Sequence, residues 1–156
     1  MSYNFNDFLR LCNMYSDRGY DEHVKQAKEA VRYLENMVGS RHGRTMAVAF
    51  VTSLFASVTS ADGFVSSREY NFFLEVTGYK QITKLNLANM KMDLIERGTD
   101  PDFMFMDEWR DGNYDHFYFG AQMMYLGLCT AASDGRINDD EARFLYLSVP
   151  APEYND

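Results

Sequence analysis

Hydrophobic residues recur at spacings of three and four along most of this chain, which is the periodicity of an amphipathic helix. The clearest helix begins at Asp21, a residue suited to the N-cap, and ends at Gly39, a common helix stop. Its apolar positions are Val24, Ala27, Val31, Leu34 and Val38. The charged residues between them predict a solvated outer face.

The same periodicity predicts six further helices and no strand. Their ranges are 4–16, 45–61, 66–77, 80–97, 115–133 and 138–147. No segment alternates apolar and polar residues with the period of two that a half-buried strand needs. The sequence therefore predicts an all-α fold, a compact bundle of about seven helices that forms one domain over residues 1–156.

The composition is that of one folded domain, and its net charge limits which classes of partner are expected. The 156 residues are 46% hydrophobic and 24% charged, as in an ordinary globular protein. The formal net charge of -8 disfavours phosphate backbones and anionic membranes. We therefore expect no nucleic acid and no membrane insertion, and a partner that is a cation or a basic protein. The start Met1–Asp7 lacks the features of a secretory signal, which favours the cytoplasm.

Cysteines and histidines are too scattered to form a recognisable site. Cys12 and Cys129 stand alone, so we expect buried free thiols and neither zinc nor a disulfide framework. His23, His42 and His116 have no second histidine three or four residues away, and we expect them to be solvated or to cap helices. The sequence has no phosphate-binding glycine loop and no nucleophile elbow, so nothing in it points to an enzyme.

One short segment of the chain occurs twice. Residues 61–69, Ala-Asp-Gly-Phe-Val-Ser-Ser-Arg-Glu, return 72 residues later as Ser-Asp-Gly-Arg-Ile-Asn-Asp-Asp-Glu over 133–141. Each copy follows an apolar helix and precedes an amphipathic one. Two pseudo-symmetric helix-loop-helix repeats are therefore predicted, with motifs near 46–77 and 118–148.

The glycine and the hydrophobic residue of each copy have structural roles that need no ligand. Gly63 and Gly135 can take the left-handed conformation that ends the preceding helix. Val65 and Ile137 can anchor the two loops in the core. These four positions therefore predict the shape of the loops and leave their chemistry to the acidic residues.

The glutamates of the two copies fit a capping box. In Ser66-x-x-Glu69 and Asn138-x-x-Glu141, the first residue caps the next helix and the glutamate occupies N3. In that arrangement each side chain bonds the backbone N–H of the other residue. The alternative is that Glu69 and Glu141 are ligands of a divalent cation.

The aspartates of the two copies need a further explanation. Asp62 and Asp134 each follow the C-terminal end of an apolar helix, where the helix dipole disfavours a carboxylate by about 0.3–1 kcal/mol. An Asx-type hydrogen bond to a backbone N–H two or three residues later would offset that cost. A divalent cation, Ca²⁺, Mg²⁺, Mn²⁺ or Zn²⁺, would offset it as well, because carboxylates are hard oxygen ligands. Both explanations are open.

The motif shares the spacing of the second half of an EF-hand calcium loop, but the first half is missing. Val58 and Ser60 stand where the first two carboxylate ligands of that loop belong, and Thr130 and Ala132 stand there in the second copy. Ordinary EF-hand binding is therefore not expected in either copy.

An apolar helix that ends in Ala-Asp-Gly-x-hydrophobic-x-x-x-Glu, twice in an acidic helical chain, resembles the TerB-like tellurite-resistance family. The resemblance covers mainly 46–77 and 118–148. It implies a bundle of about seven helices with internal pseudo-symmetry, a cytoplasmic location, and acidic residues that bind metal in stress-response assemblies. By position, the metal ligands would be Asp62, Glu69, Asp134 and Glu141.

Three functional hypotheses follow. The first is a non-enzymatic TerB-like module that binds a protein partner and a divalent cation through the repeated loops. The second is a structural adaptor without metal, whose acidic aromatic segment 99–115 docks a basic partner, with Trp109 either exposed there or folded onto the core. The third is a hydrolase with a carboxylate-held metal, which would need a pocket that a sequence does not display.

Overall fold

The computed structural model describes residues 4–58, 65–97 and 116–148. These residues form seven helices and no strand, which confirms the predicted all-α bundle. The helices are α1 (Phe5–Ser16), α2 (Tyr20–His42), α3 (Arg44–Val58), α4 (Ser67–Thr77), α5 (Lys84–Arg97), α6 (His116–Ala132) and α7 (Asp139–Ser148). Among the described helices, none combines the length and the apolarity needed to cross a bilayer.

The central helix of the bundle is α2, which packs on α3, α4 and α6. Helix α5 lies against α3, and α1 lies against α6 and α7. Four residues of α2 have no exposed surface: Ala27, Ala30, Leu34 and Val38. Because a fully buried leucine or valine contributes about 1.5–3 kcal/mol, this stripe is a main attachment of α2 to the core.

The start of α2 differs from the prediction. Gly19 is the N-cap, it makes no side-chain capping bond, and the helix begins at Tyr20. Asp21 therefore lies inside the first turn and does not cap the helix. Its carboxylate still favours this end, because negative charge near a helix N-terminus complements the helix dipole.

The end of α2 also differs. The helix continues through Gly39 to His42, and Gly43, with a φ of 90°, ends it. Gly39 lies inside the helix and faces α3: a Cβ atom on Gly39 would lie 3.7 Å from Cβ of Ala47, an ordinary van der Waals distance. A glycine costs only about 1 kcal/mol relative to alanine inside a helix, so it need not end one.

An aromatic cluster joins α3 to α4. Phe55 is fully buried, and its ring centre lies 5.0 Å from that of Phe73, edge to face, and 6.1 Å from that of Phe72. The residues 72 positions after Phe55 and Phe73 are Gly127 and Leu145. There a Cβ atom on Gly127 would come within 2.7 Å of Leu145, so α6 and α7 meet through a glycine where α3 and α4 meet through two rings.

Candidate functional site

The two repeated segments start their second helix in the same way. At α4, Glu69 N–H donates to Ser66 Oγ at 3.1 Å, and Ser66 N–H donates to Glu69 Oε1 at 2.9 Å. At α7, Glu141 N–H donates to Asn138 Oδ1 at 2.8 Å, and Asn138 N–H donates to Glu141 Oε1 at 3.0 Å. Both predicted capping boxes are confirmed, and each glutamate carboxylate is engaged by the backbone of its own helix start.

The hydrophobic anchors of the loops also lie where the sequence placed them. Val65 and Ile137 are 1% and 8% exposed, and both belong to the main core. Gly135 has a φ of 135°, a value that favours glycine because it has no Cβ atom. Asp62 and Gly63 lie outside the described residues. The described part of the first copy therefore begins at its anchor, whereas the second copy is described throughout.

The second loop, residues 133–138, is fixed to the end of α1. Ile137 N–H donates to Ser16 Oγ at 3.0 Å, and Ser16 Oγ donates in turn to the carbonyl of Cys12 at 2.8 Å. Arg136 forms an ion pair with Asp17 at 2.7 Å. No local pattern indicates these contacts, because their partners are 119 and 121 residues apart. The loop is thus held from both sides, by α1 and by the capping box of α7.

The Asx-type bond proposed for Asp134 is wrong. Its carboxylate accepts no hydrogen bond from the backbone of the loop, and the N–H of Ile137, one of the donors expected for it, bonds to Ser16 instead. Ser16, on α1, thus accepts the N–H that an Asx-type bond to Asp134 would have used. Asp134 is exposed, so water solvates the carboxylate that the end of α6 disfavours.

Three carboxylates form what we call the acidic edge: Asp134, Asp139 and Asp140. All three are exposed, and none makes a hydrogen bond or ion pair with another described residue. Asp139 and Asp140 lie in the first turn of α7, where the helix dipole favours negative charge. The basic residue of the loop, Arg136, is paired with Asp17. The negative charge of the acidic edge is therefore not neutralised by any ion pair within the described part of the protein, and it can attract a cationic partner.

The structure describes three of the four predicted metal ligands, and it does not bring these three together at one site. Glu69 and Glu141 belong to separate capping boxes, Asp134 is exposed, and Asp62 lies outside the described residues. Within residues 4–58, 65–97 and 116–148, no three His, Cys, Asp or Glu side chains converge as metal ligands would. A cation at either glutamate would compete with a backbone N–H, which makes Asp134 the most accessible of the three described ligands.

The cysteines are buried free thiols, as predicted. Burial raises the pKa of Cys12 to about 11, with a further contribution from Glu141, and raises the pKa of Cys129 to about 12. Both thiols are therefore protonated at neutral pH and are weak nucleophiles. This argues against thiol chemistry at either position.

The expectation for His23 is wrong. Its side chain is only 2% exposed, so it is not solvated, and it does not cap a helix. Its ring stacks on Tyr15 with 6.4 Å between ring centres. Nδ1 of His23 is buried and has no hydrogen-bond partner in the described part of the chain. Sequence spacing tests only for metal sites and helix ends, so it gave no sign of this buried imidazole.

The acidic aromatic segment 99–115 and Trp109, which carry the adaptor hypothesis, lie outside the described residues.

Comparison of the chain with protein-family models, curated proteins and solved structures gives no significant match. Among described features, the acidic edge best fits the cationic partners expected from the net charge of -8.

Proposed function

We propose that this chain is a non-enzymatic, TerB-like cytoplasmic module that binds a basic protein partner through the acidic edge, in a stress-response or tellurite-resistance assembly. One observation carries the proposal: Asp134, Asp139 and Asp140 are exposed and unpaired among the described residues, with Asp134 on a loop that the fold holds in place and the other two in the helical turn that follows it. The repeated Asp-Gly motif adds the family resemblance.

The strength of such a surface comes from several charges acting together. A single exposed ion pair contributes about 0.2–1 kcal/mol and is weakened by salt. Three carboxylates within seven residues attract a basic surface more strongly and also accelerate its approach. Binding through the acidic edge should therefore weaken steeply as the salt concentration rises.

The rigidity of the second loop also favours binding. Ordering a flexible segment costs free energy that subtracts from affinity. Here Ile137 is already bonded to Ser16, and Asn138 and Glu141 already close the capping box. The carboxylates of the acidic edge thus sit on backbone that needs little further ordering.

A charge-matched capture experiment tests the proposal. The edge variant carries Asp134→Asn, Asp139→Asn and Asp140→Asn, which removes the three charges with little change in side-chain size. We expect a loss of about tenfold or more in bound partner, measured by quantitative mass spectrometry after affinity capture from a lysate of the source organism. This corresponds to about 1.4 kcal/mol over three weak contacts.

The matched control removes three negative charges from the exposed face of α2, at Asp21, Glu22 and Glu29. This control, with Asn for Asp and Gln for Glu, has the same net charge as the edge variant but keeps the acidic edge intact, so it should retain the partner. Equal loss in both variants would mean that only the overall charge matters. No loss in the edge variant would exclude the acidic edge as the binding surface.

A divalent cation is the second ligand class of this proposal, held at the repeated loops. Calorimetric titration with Ca²⁺, Mg²⁺, Mn²⁺ and Zn²⁺ is expected to give heat with at least one of them and a much smaller heat after Asp134→Asn. Glu69→Gln should retain the cap, since glutamine also serves in a capping box, so a lower heat in that variant would show that the charge of Glu69 contributes to cation binding. Absence of heat with all four ions would remove the cation from the proposal and leave the protein partner.

A further inference from the structure

A buried histidine stands at the junction of α1 and α2. His23 lies in the first turns of α2, and its ring is parallel to that of Tyr15 on α1, with an angle of 11° between the planes. The side chain is 2% exposed, and Nδ1 has no partner among residues 4–58, 65–97 and 116–148. A buried polar atom without a partner is costly and therefore calls for an explanation.

The surroundings of His23 disfavour a positive charge. Arg18, in the connection between α1 and α2, has its guanidinium 4.1 Å from the ring centre of Tyr15 and donates to Gln26 at 2.6 Å. Burial first, and the charge of Arg18 second, lower the pKa of His23, against a smaller opposing effect from Glu22.

Within the described residues, no charged group besides Arg18 and Glu22 affects the pKa of His23. Burial raises the pKa of Tyr15 on α1 and of Cys129 on α6, so both groups are uncharged near neutral pH. On α4, Glu75 accepts a hydrogen bond from Tyr20 at 3.3 Å. This bond and the contact of Tyr20 with Phe72 attach the start of α2 to α4.

The start of α2 is attached to α4, so α1 is the helix at this junction that is free to move away from His23. Helix α1 packs mainly on α6 and α7 and only slightly on α2, so the contact between His23 and Tyr15 is the part of this junction best placed to open. The end of α1 in turn holds the second loop through Ser16 and Asp17. Movement of α1 therefore reaches the loop that carries Asp134.

We propose that protonation of His23 releases the end of α1 together with the second loop, so that mild acid loosens the acidic edge. The observation behind this proposal is a buried imidazole whose Nδ1 has no partner among the described residues and whose ring stacks on the same helix that anchors the loop. This release of α1 depends only on residues of this chain and not on the proposed partner. If the acidic edge binds that partner, acid would also weaken the complex.

The direction of the pH effect follows from linkage. When α1 moves away, His23 regains its ordinary pKa of 6.5, whereas in the closed state its pKa is lower. The open state therefore binds more protons as the pH falls through 6.5, and the closed state loses stability in that window. Above it both states are neutral, and no effect is expected.

Hydrogen exchange followed by mass spectrometry tests this proposal in the full chain. After correction for intrinsic rates, exchange in α1 and in the second loop should rise by up to about tenfold from about pH 7.5 to about pH 5.5, which is one unit below the open-state pKa. Peptides from α3 should keep their protection. His23→Gln, which is never protonated, should abolish the rise, and His42→Gln should leave it intact.

Three results would overturn the proposal: no rise in the wild type, an equal rise in His23→Gln, or an equal rise in α3, which would indicate global unfolding. If His23→Gln does not fold, Arg18→Gln provides the second test in a chain that keeps the histidine. Removing that positive charge should reduce the acid response, and an unchanged response would contradict the proposal. Because none of these readouts involves the partner, failure here is distinct from failure of the acidic edge to bind.

Discussion

Replacing Phe55 by alanine is expected to lower the free energy of unfolding by about 3–5 kcal/mol, the usual cost of truncating a buried phenylalanine. Phe55 has no exposed surface and contacts the rings of Phe72 and Phe73, so alanine removes the aromatic contact between α3 and α4. Urea denaturation measures this loss, with the slope of the transition unchanged if the variant still unfolds in one step.

Leu85→Ala is the control for Phe55→Ala. Leu85 is 68% exposed, so its truncation should change the free energy of unfolding by about 0.5 kcal/mol or less. A loss below about 1 kcal/mol in Phe55→Ala would contradict the packing of α3 on α4 described above.

Replacing Glu69 by alanine is the second substitution with a large expected effect. Glu69 is 2% exposed, and its carboxylate accepts the N–H of Ser66. Alanine leaves that donor without its acceptor in a poorly solvated place, which costs about 1–3 kcal/mol. Glu69→Gln should lose less, because its side-chain carbonyl can still accept the bond. Urea denaturation of the two variants separates the capping role from the charge.

Glu141 provides the internal comparison. It closes the equivalent capping box, but it is half-buried, so water can satisfy Asn138 N–H when the carboxylate is removed. Glu141→Ala should therefore cost less than Glu69→Ala, about 1 kcal/mol or below. A larger loss at Glu141, or equal losses in Glu69→Ala and Glu69→Gln, would show that hydrogen bonding at the helix start does not explain these glutamates.

Local features of the loops were predictable because each depends on residues close together in sequence. The capping boxes of α4 and α7 involve positions three apart, and the anchors Val65 and Ile137 follow from the register of the repeat. The helical periodicity also gave the all-α class. Short-range rules were sufficient wherever a residue bonds to its own turn.

Features that depend on contacts between distant segments were not predictable. Ile137 N–H, one of the donors expected for Asp134, bonds to Ser16 on α1 instead. His23 is buried because α1 folds back over the start of α2. In each case the deciding partner lies on another element, which a one-dimensional pattern does not reveal.

The central claim is that the acidic edge, on the second loop and the first turn of α7, binds a protein partner, and site-specific photo-crosslinking tests it most directly. A photoreactive amino acid replaces Asp140 in one variant and Glu29, on the exposed face of α2, in the other. The account predicts a crosslinked partner from position 140, reduced by high salt, and none from position 29. Equal crosslinking from both positions, or none from Asp134, Asp139 and Asp140 in turn, would contradict it.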